Sequence, residues 1–229
     1  MFDAALFDMD GLLLDSERVH RRAWTAAAAT EGIEIPDEVY SQVIGRAAQD
    51  AHRLFVDMMG GPATYERLRE KVQADLHRDG RPPVFPLKPG VGELLAALRA
   101  RRVSCAVASS TSADEIRRRL DAVGVLTQFD AVAGGNEVVR GKPDPAIYHL
   151  AAERLGVSAS ACVAFEDSEN GARAALAAGT ALVVVPDLRR PPPDVLARSL
   201  HVFDSLHEAH PHLPRWFPAI RGDRPLRPG

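Results

Sequence analysis

The hydrophobic pattern changes rhythm twice along the chain. A short apolar run, Ala4-Ala5-Leu6-Phe7, stops at Asp8-Met9-Asp10-Gly11 and reads as a buried strand. From Asp15-Ser16-Glu17 to about Thr30 the pattern is helical. Apolar positions fall at Val19, Ala23, Trp24 and Ala27, with Ser16 as N-cap and Gly32 just past the end. Further helices are predicted over Glu38–Ile44, Ala47–Met59 and Thr64–Arg78, before Asp79-Gly80-Arg81-Pro82-Pro83 breaks the pattern. After Pro89-Gly90 short apolar strands alternate with helices. Helix Val91–Arg101 leads to strand Val103–Ala108, and helix Ser112–Val123 to strand Ala131–Ala133. Helix Pro145–Leu155 leads to strand Cys162–Phe165, and helix Asn170–Ala178 to strand Ala181–Val185. Such alternation predicts an α/β fold, a parallel sheet with helices on both faces.

The first strand and the second are separated by about 70 residues, far more than a parallel crossover needs. These residues read as an all-α cap domain, residues 16–85, inserted into an α/β core made of 1–15 and 86–229. Beyond Pro186 the tail is proline-rich and irregular, apart from a strand candidate at His201–Phe203 and a helix near Leu206.

Composition narrows the function classes. With 229 residues, 46% apolar and 26% charged, the chain has the make-up of an ordinary globular protein. A net charge of −3 gives no reason to expect nucleic acid as a partner. No apolar run approaches the ~18 residues of a membrane span. The N-terminus has no basic segment before its apolar stretch, so a cytoplasmic location is expected. Nothing requires more than a monomer. Cys105 and Cys162 lie in strand-like runs and read as buried, reduced side chains. All the basic residues are arginine except Lys71, Lys88 and Lys142.

In open parallel sheets ligands collect beyond the carboxyl ends of the strands. There the sequence places Asp8 and Asp10, then Ser109-Ser110-Thr111, then Gly141-Lys142-Pro143, then Glu166-Asp167-Ser168. Four carboxylates on one edge repel unless a divalent cation sits among them, and an oxygen-only site suits Mg²⁺. Lys142 and the backbone N–H groups near Ser109 suit an anion. Metal, anion pocket and carboxylate nucleophile together imply phosphoryl transfer through an aspartyl phosphate. Singly, each motif reads as a turn, a loop or an N-cap; the four in order do not.

Phe7-Asp8-Met9-Asp10-Gly11-Leu12-Leu13-Leu14-Asp15-Ser16-Glu17 resembles the first motif of the haloacid-dehalogenase-like phosphohydrolases. Ala108-Ser109-Ser110 resembles their second motif, Gly141-Lys142-Pro143-Asp144-Pro145 their third and Phe165-Glu166-Asp167-Ser168-Glu169-Asn170-Gly171 their fourth. The resemblance covers about residues 1–210 and implies a Rossmann-like core with a small helical cap. It implies that Asp8 is the nucleophile and Asp10 the general acid and base, with a backbone carbonyl offered to Mg²⁺. Ser109 and Ser110 would bind the phosphoryl oxygens, Lys142 would neutralise them, and Asp167 would ligate the metal directly, with Glu166 in or just outside that set.

The expected activity is hydrolysis of a small phosphorylated metabolite, a sugar phosphate in class. The alternative is a β-phosphoglucomutase-like mutase. His20 favours it, because it falls on the first cap helix where it could reach Asp10 on closure. Its other reading is a half-exposed helix-surface histidine. Against the mutase, Ala48 stands where the mutases place an arginine three residues after a glycine, and Arg46 is the nearest substitute. Lys-Pro-Asp-Pro also looks more like the phosphatase members. A non-catalytic phosphometabolite-binding protein would have lost at least one of Asp8, Asp10, Lys142 or Asp167, and all are present. The tail histidines His201, His207, His210 and His212 read as solvated. Of the lysines, Lys142 falls where a slim cation fits beside Asp8 and a guanidinium fork does not, while Lys71 and Lys88 read as surface residues.

Overall fold

The computed structural model of the chain describes residues 1–36, 40, 48–77 and 83–218. Six strands form one sheet: β1 (Ala4–Phe7), β2 (Ser104–Ser109), β3 (Ala131–Gly134), β4 (Cys162–Glu166), β5 (Ala181–Val184) and β6 (His201–Val202). Every pairing is parallel and the spatial order is β3-β2-β1-β4-β5-β6. The first strand of the chain is therefore central, with Phe7 in register with Val107 on one side and Phe165 on the other.

Both faces of the sheet are apolar, but differently so. One face carries Ala5, Phe7, Val107, Val163 and Phe165 and packs on α4 (Val91–Ala100), α5 (Ala113–Ala122) and the tail residues Leu206, Leu213 and Trp216. The other presents Ala4, Leu6, Ala106, Ala108 and Ala164 to α6 (Ala146–Arg154) and α7 (Glu169–Ala177). Small side chains on that second face let the alanine-rich helices approach closely. Helix α1 (Ser16–Ala29), α2 (Ala48–Met58) and α3 (Pro62–Leu76) share a separate apolar cluster of Ala23, Ala27, Phe55, Met59, Leu68 and Val72. Trp24 stacks on Tyr65 with ring centroids 5.4 Å apart and meets Phe55 edge-on at 4.5 Å.

Several expectations are corrected. Ser16 is not the N-cap of α1 but its first residue, fully buried, with a hydroxyl that has no hydrogen-bond partner. Asp15 holds the cap position, and its carboxylate is taken by Arg18 at 2.9 Å rather than by a backbone N–H. In the tail the strand expected at His201–Phe203 and the helix expected near Leu206 are both present, and two short helices are added. Leu206–His212 forms a 3₁₀ helix, followed by α9 (Leu213–Trp216), after the short α8 (Pro193–Leu196). Of the tail histidines, His207 and His210 are exposed as expected. His201 and His212 instead pack their rings on each other and on Trp216, 4.3–5.6 Å between centroids. The helix expected over Glu38–Ile44 lies mostly outside the described residues, as does Arg46. Cys105 and Cys162 are free and buried, and burial pushes their thiols up to about 12 and about 11. Among the described residues no helix is long and apolar enough to cross a membrane.

Candidate active site

The carboxyl edge of the three central strands gathers most of the residues singled out above. Asp8 lies one residue past β1, where its N–H donates to the Phe165 carbonyl at 3.1 Å. Glu166 ends β4 and Asp167 follows it. Lys142 comes from the loop between β3 and α6, and its ammonium lies 2.6 Å from both Asp8 Oδ1 and Glu166 Oε1. Only 6% of the Lys142 side chain is exposed, and Glu166 is fully buried.

Glu166 has a donor for each of its oxygens. Oε1 accepts from Lys142 and from the Tyr148 hydroxyl at 2.7 Å. Oε2 accepts from the N–H groups of Asp167 (3.1 Å) and Ser168 (3.3 Å) and from the Ser168 hydroxyl (3.2 Å). Space for this carboxylate comes from Gly171 in the first turn of α7, since a Cβ there would stand 1.7 Å from Glu166 Oε1. The Ser168 hydroxyl also caps α7 by accepting from Gly171 N–H at 3.2 Å, so the structural and functional readings of this serine coincide.

Asp167 is treated differently. Its Oδ1 is buried with no hydrogen-bond partner. Carboxylate oxygens of Asp8, Glu166 and Asp167 lie within 4.8 Å of one another. Burial raises Asp8 to about 8, with Glu166 and Asp10 pushing the same way and Lys142 opposing. Asp167 is raised well above the ordinary carboxylate range by burial, then by Asp8, Glu166 and Asp187. For Lys142, burial works to lower the ammonium, but Asp8 and Glu166 carry it above its usual value. Three buried acids thus face one ammonium. A bound cation would offset the remaining negative charge, so the donor set fits a hard divalent ion.

Asp10 is not in that cluster. Its Oδ1 accepts from Arg119 at 2.8 Å and its Oδ2 from the Thr111 hydroxyl at 2.9 Å. That leaves its backbone carbonyl as the group it could offer a cation. Ser109 is buried at the end of β2, its hydroxyl accepting the Thr111 N–H at 3.2 Å, whereas Ser110 is exposed. His20 is half-buried on α1, its ring 5.3 Å from that of Phe85. Burial lowers its pKa, Arg119 adds to that and Asp10 opposes it. The structure thus gives His20 a half-exposed helix position, with its ring against Phe85.

Lys88 is also no surface lysine. Its ammonium lies 2.5 Å from Asp187 Oδ1, which Arg18 engages as well. Asp187 follows β5, its side chain is 2% exposed, and its Oδ2 has no partner. Close by, Gly11 adopts φ +88°, and a Cβ there would lie 2.2 Å from Asp167 Oδ2 and 3.5 Å from Asp187 Oδ2. Arg119, Tyr148 and Asp187 were not singled out in the sequence, and Thr111 entered only as the end of the Ser109-Ser110-Thr111 run. A small cleft beside the acidic cluster is lined by Glu17, Asp167, Ser168, Asp187, Leu188 and Arg190, among others. Burial, with Asp10 and Asp187 nearby, pushes Glu17 up to about 7.

This geometry is that of a recognised class. The family model of the haloacid dehalogenase-like hydrolases matches residues 2–179, and the chain belongs to that family. It is 31% identical over 177 residues to a phosphorylated carbohydrates phosphatase of Thermotoga maritima, covering 77% of this chain and 82% of that protein. It is 33% identical over 186 residues to a beta-phosphoglucomutase of Bacillus subtilis, covering 77% and 80%. A solved HAD family hydrolase of Deinococcus radiodurans, with bound phosphate and sodium, matches with a TM-score of 0.76. The two are 27% identical, and the match covers 94% of this chain and 96% of that one.

Proposed function

We propose that the chain is a cytoplasmic, Mg²⁺-dependent phosphomonoesterase of a small phosphorylated metabolite, a sugar phosphate in class, working through a phosphate ester on Asp8. The observation that carries this reading is the charge balance of the cluster: three buried carboxylates, one ammonium, and an Asp167 oxygen with no donor. Asp8 and Asp167 would hold the metal, with Glu166 behind them fixing Lys142 and the Asp10 carbonyl beside them. Bound there, Mg²⁺ supplies positive charge against the phosphoryl oxygens.

The remaining work falls to the chain. An Asp8 carboxylate oxygen forms a bond to phosphorus as the bond to the ester oxygen breaks, and Asp10 passes its proton to that departing oxygen. Asp10, now a carboxylate, takes a proton from water. The water oxygen bonds to phosphorus as the Asp8–phosphorus bond breaks, which releases phosphate and restores Asp8. Lys142 lowers the repulsion between nucleophile and phosphate, and Ser109 and Ser110 offer hydrogen bonds to the phosphoryl oxygens. Residues 16–85 serve as a cap whose closure excludes bulk water and whose side chains select the leaving group.

The test is phosphate release from an aryl phosphate and a sugar-phosphate panel with Mg²⁺, with Asp8→Asn as control. The expected loss in Asp8→Asn is at least about 10³-fold. A folded, Mg²⁺-supplied protein inactive on every substrate, or an Asp8→Asn variant as active as the parent, overturns the reading. His20 beside the Asp10–Arg119 pair favours a second reading, transfer of the phosphoryl group back onto a sugar. That predicts interconversion of hexose 1- and 6-phosphates primed by a bisphosphate, and hydrolysis without isomeric product removes it.

A further inference from the structure

The carboxylate of Asp10 is held by a side chain on the far flank of α5. Arg119 Nη1 donates to Asp10 Oδ1 at 2.8 Å, and its Nε donates to Glu115 Oε1 at 2.7 Å, one helical turn back. The guanidinium carbon stands 4.8 Å from the centroid of the buried Phe85 ring. Salt bridges on two nitrogens and an aromatic face leave this group little freedom, and only 17% of the side chain is exposed. The second oxygen of Asp10 meets a different chemistry, the Thr111 hydroxyl at 2.9 Å.

The two partners are not equivalent. A guanidinium only donates, so a proton on Asp10 is disfavoured on the oxygen it holds while that contact lasts. A hydroxyl donates to a carboxylate and, after rotation, accepts from a carboxylic acid. We propose that Arg119 is a positioning residue. It anchors Oδ1 of Asp10 so that Oδ2, shared with Thr111, is the oxygen that carries the proton exchanged with the ester and water oxygens. This rests on the hydrolytic reading above. Asp10, Thr111, Glu115 and Arg119 all lie on β1, β2, α5 or the turns that follow these strands. The hydrogen bonds that orient Asp10 therefore come from the core, while Phe85, beside His20 of α1, adds the aromatic face.

A misplaced acid hurts most when the departing oxygen is a poor leaving group. The experiment compares kcat/KM for p-nitrophenyl phosphate, whose leaving group needs little protonation, with that for the best-cleaved sugar phosphate of the panel. Arg119→Gln is expected to reduce the sugar-phosphate value about 100-fold and the aryl value less than about 10-fold, within the range of general acid catalysis. Arg119→Lys is expected to show the same skew with a smaller loss, and it is the variant read if Arg119→Gln does not fold. On an Asp10→Ala background Arg119→Gln should add less than about 2-fold, because the group it positions is gone. Equal losses on both substrates, losses that multiply with Asp10→Ala, or no loss at all overturn the proposal. A wild-type chain that cleaves neither substrate refutes the phosphatase reading instead.

Discussion

The two flanks of the acidic cluster are built on opposite rules. On the Lys142 side every oxygen of Glu166 has a donor, and Lys142, Tyr148 and Ser168 are spent on satisfying it. On the other side Asp167 Oδ1 and Asp187 Oδ2 are buried without any donor. Buried polar atoms are nearly always paired, so the unpaired ones need a reason. The contrast teaches which charge the fold owns. Where positive charge must be permanent the chain supplies it from its own backbone and side chains. On the other flank the Asp167 oxygen stays uncommitted, which fits the proposed cation.

The sharpest way to break this contrast is at its permanent side. Lys142→Arg keeps the charge but puts a fork where an ammonium contacts two carboxylates at 2.6 Å in a nearly closed space. The expected result is a loss of at least about 10³-fold in kcat/KM, read as phosphate release. Near-parental turnover would mean that any cation serves there.

Of intermediate size is a pair of variants read by thermal melting with and without Mg²⁺. Glu166→Gln removes an acceptor that is already satisfied and should lower Mg²⁺-free stability by about 1–3 kcal/mol. Asp167→Asn removes a repelled, unpaired carboxylate. It should raise Mg²⁺-free stability by about 1 kcal/mol and abolish the stabilisation expected of the parent when Mg²⁺ is added. If both variants shift the same way, the two flanks are not different in kind.

The smallest effect concerns Glu17, at the rim of the uncommitted side. Its folded value, about 7, lies above its ordinary 4.5, so the protonated form is the one the fold favours. That contribution is complete below the unfolded value and is lost as pH rises through about 7. Glu17→Gln, which mimics the protonated form, should melt with the parent near pH 4.5 and above it at pH 8, by on the order of 1–2 kcal/mol. A variant less stable than the parent at pH 8 would place Glu17 in an ion pair instead.

Much of the site was legible because it follows a rule of topology. Residues that end consecutive parallel strands must share one edge, so Asp8, Ser109 and Glu166 could be brought together from hydrophobic runs alone, with Asp167 beside them. Arg119 obeys no such rule. It is the last of three consecutive arginines on a helix whose buried stripe is Ala113, Ile116 and Leu120, and in a pattern of that kind arginines read as solvent-facing. The one available signal was Glu115 four residues earlier, an i,i+4 pair at the margin of the stripe. Asp187 and Lys88 sit in loops, where periodicity says nothing about burial. Ser16 was misread because residue type favours it as a cap, while the tertiary structure buries it and places Asp15 there. Tyr148 belongs to the apolar face of α6, and only its hydroxyl betrays the second role.

The central place of β1 has a consequence for how the molecule comes into being. Ala4 pairs with Ser104 on one side and Cys162 on the other, and Phe2 N–H donates to the Trp216 carbonyl at 2.9 Å. The strand that delivers Asp8 precedes all its partners in the chain, and during synthesis it must wait for them. Until β4 has left the ribosome there is nothing to place Glu166 beside Asp8, and Trp216 has still to close over Phe165. A nascent chain therefore carries Asp8 early and the residues that surround it late, with β1 unpaired until β2 and β4 follow. That interval, rather than the finished fold, is where this protein is most exposed to chaperones and to aggregation.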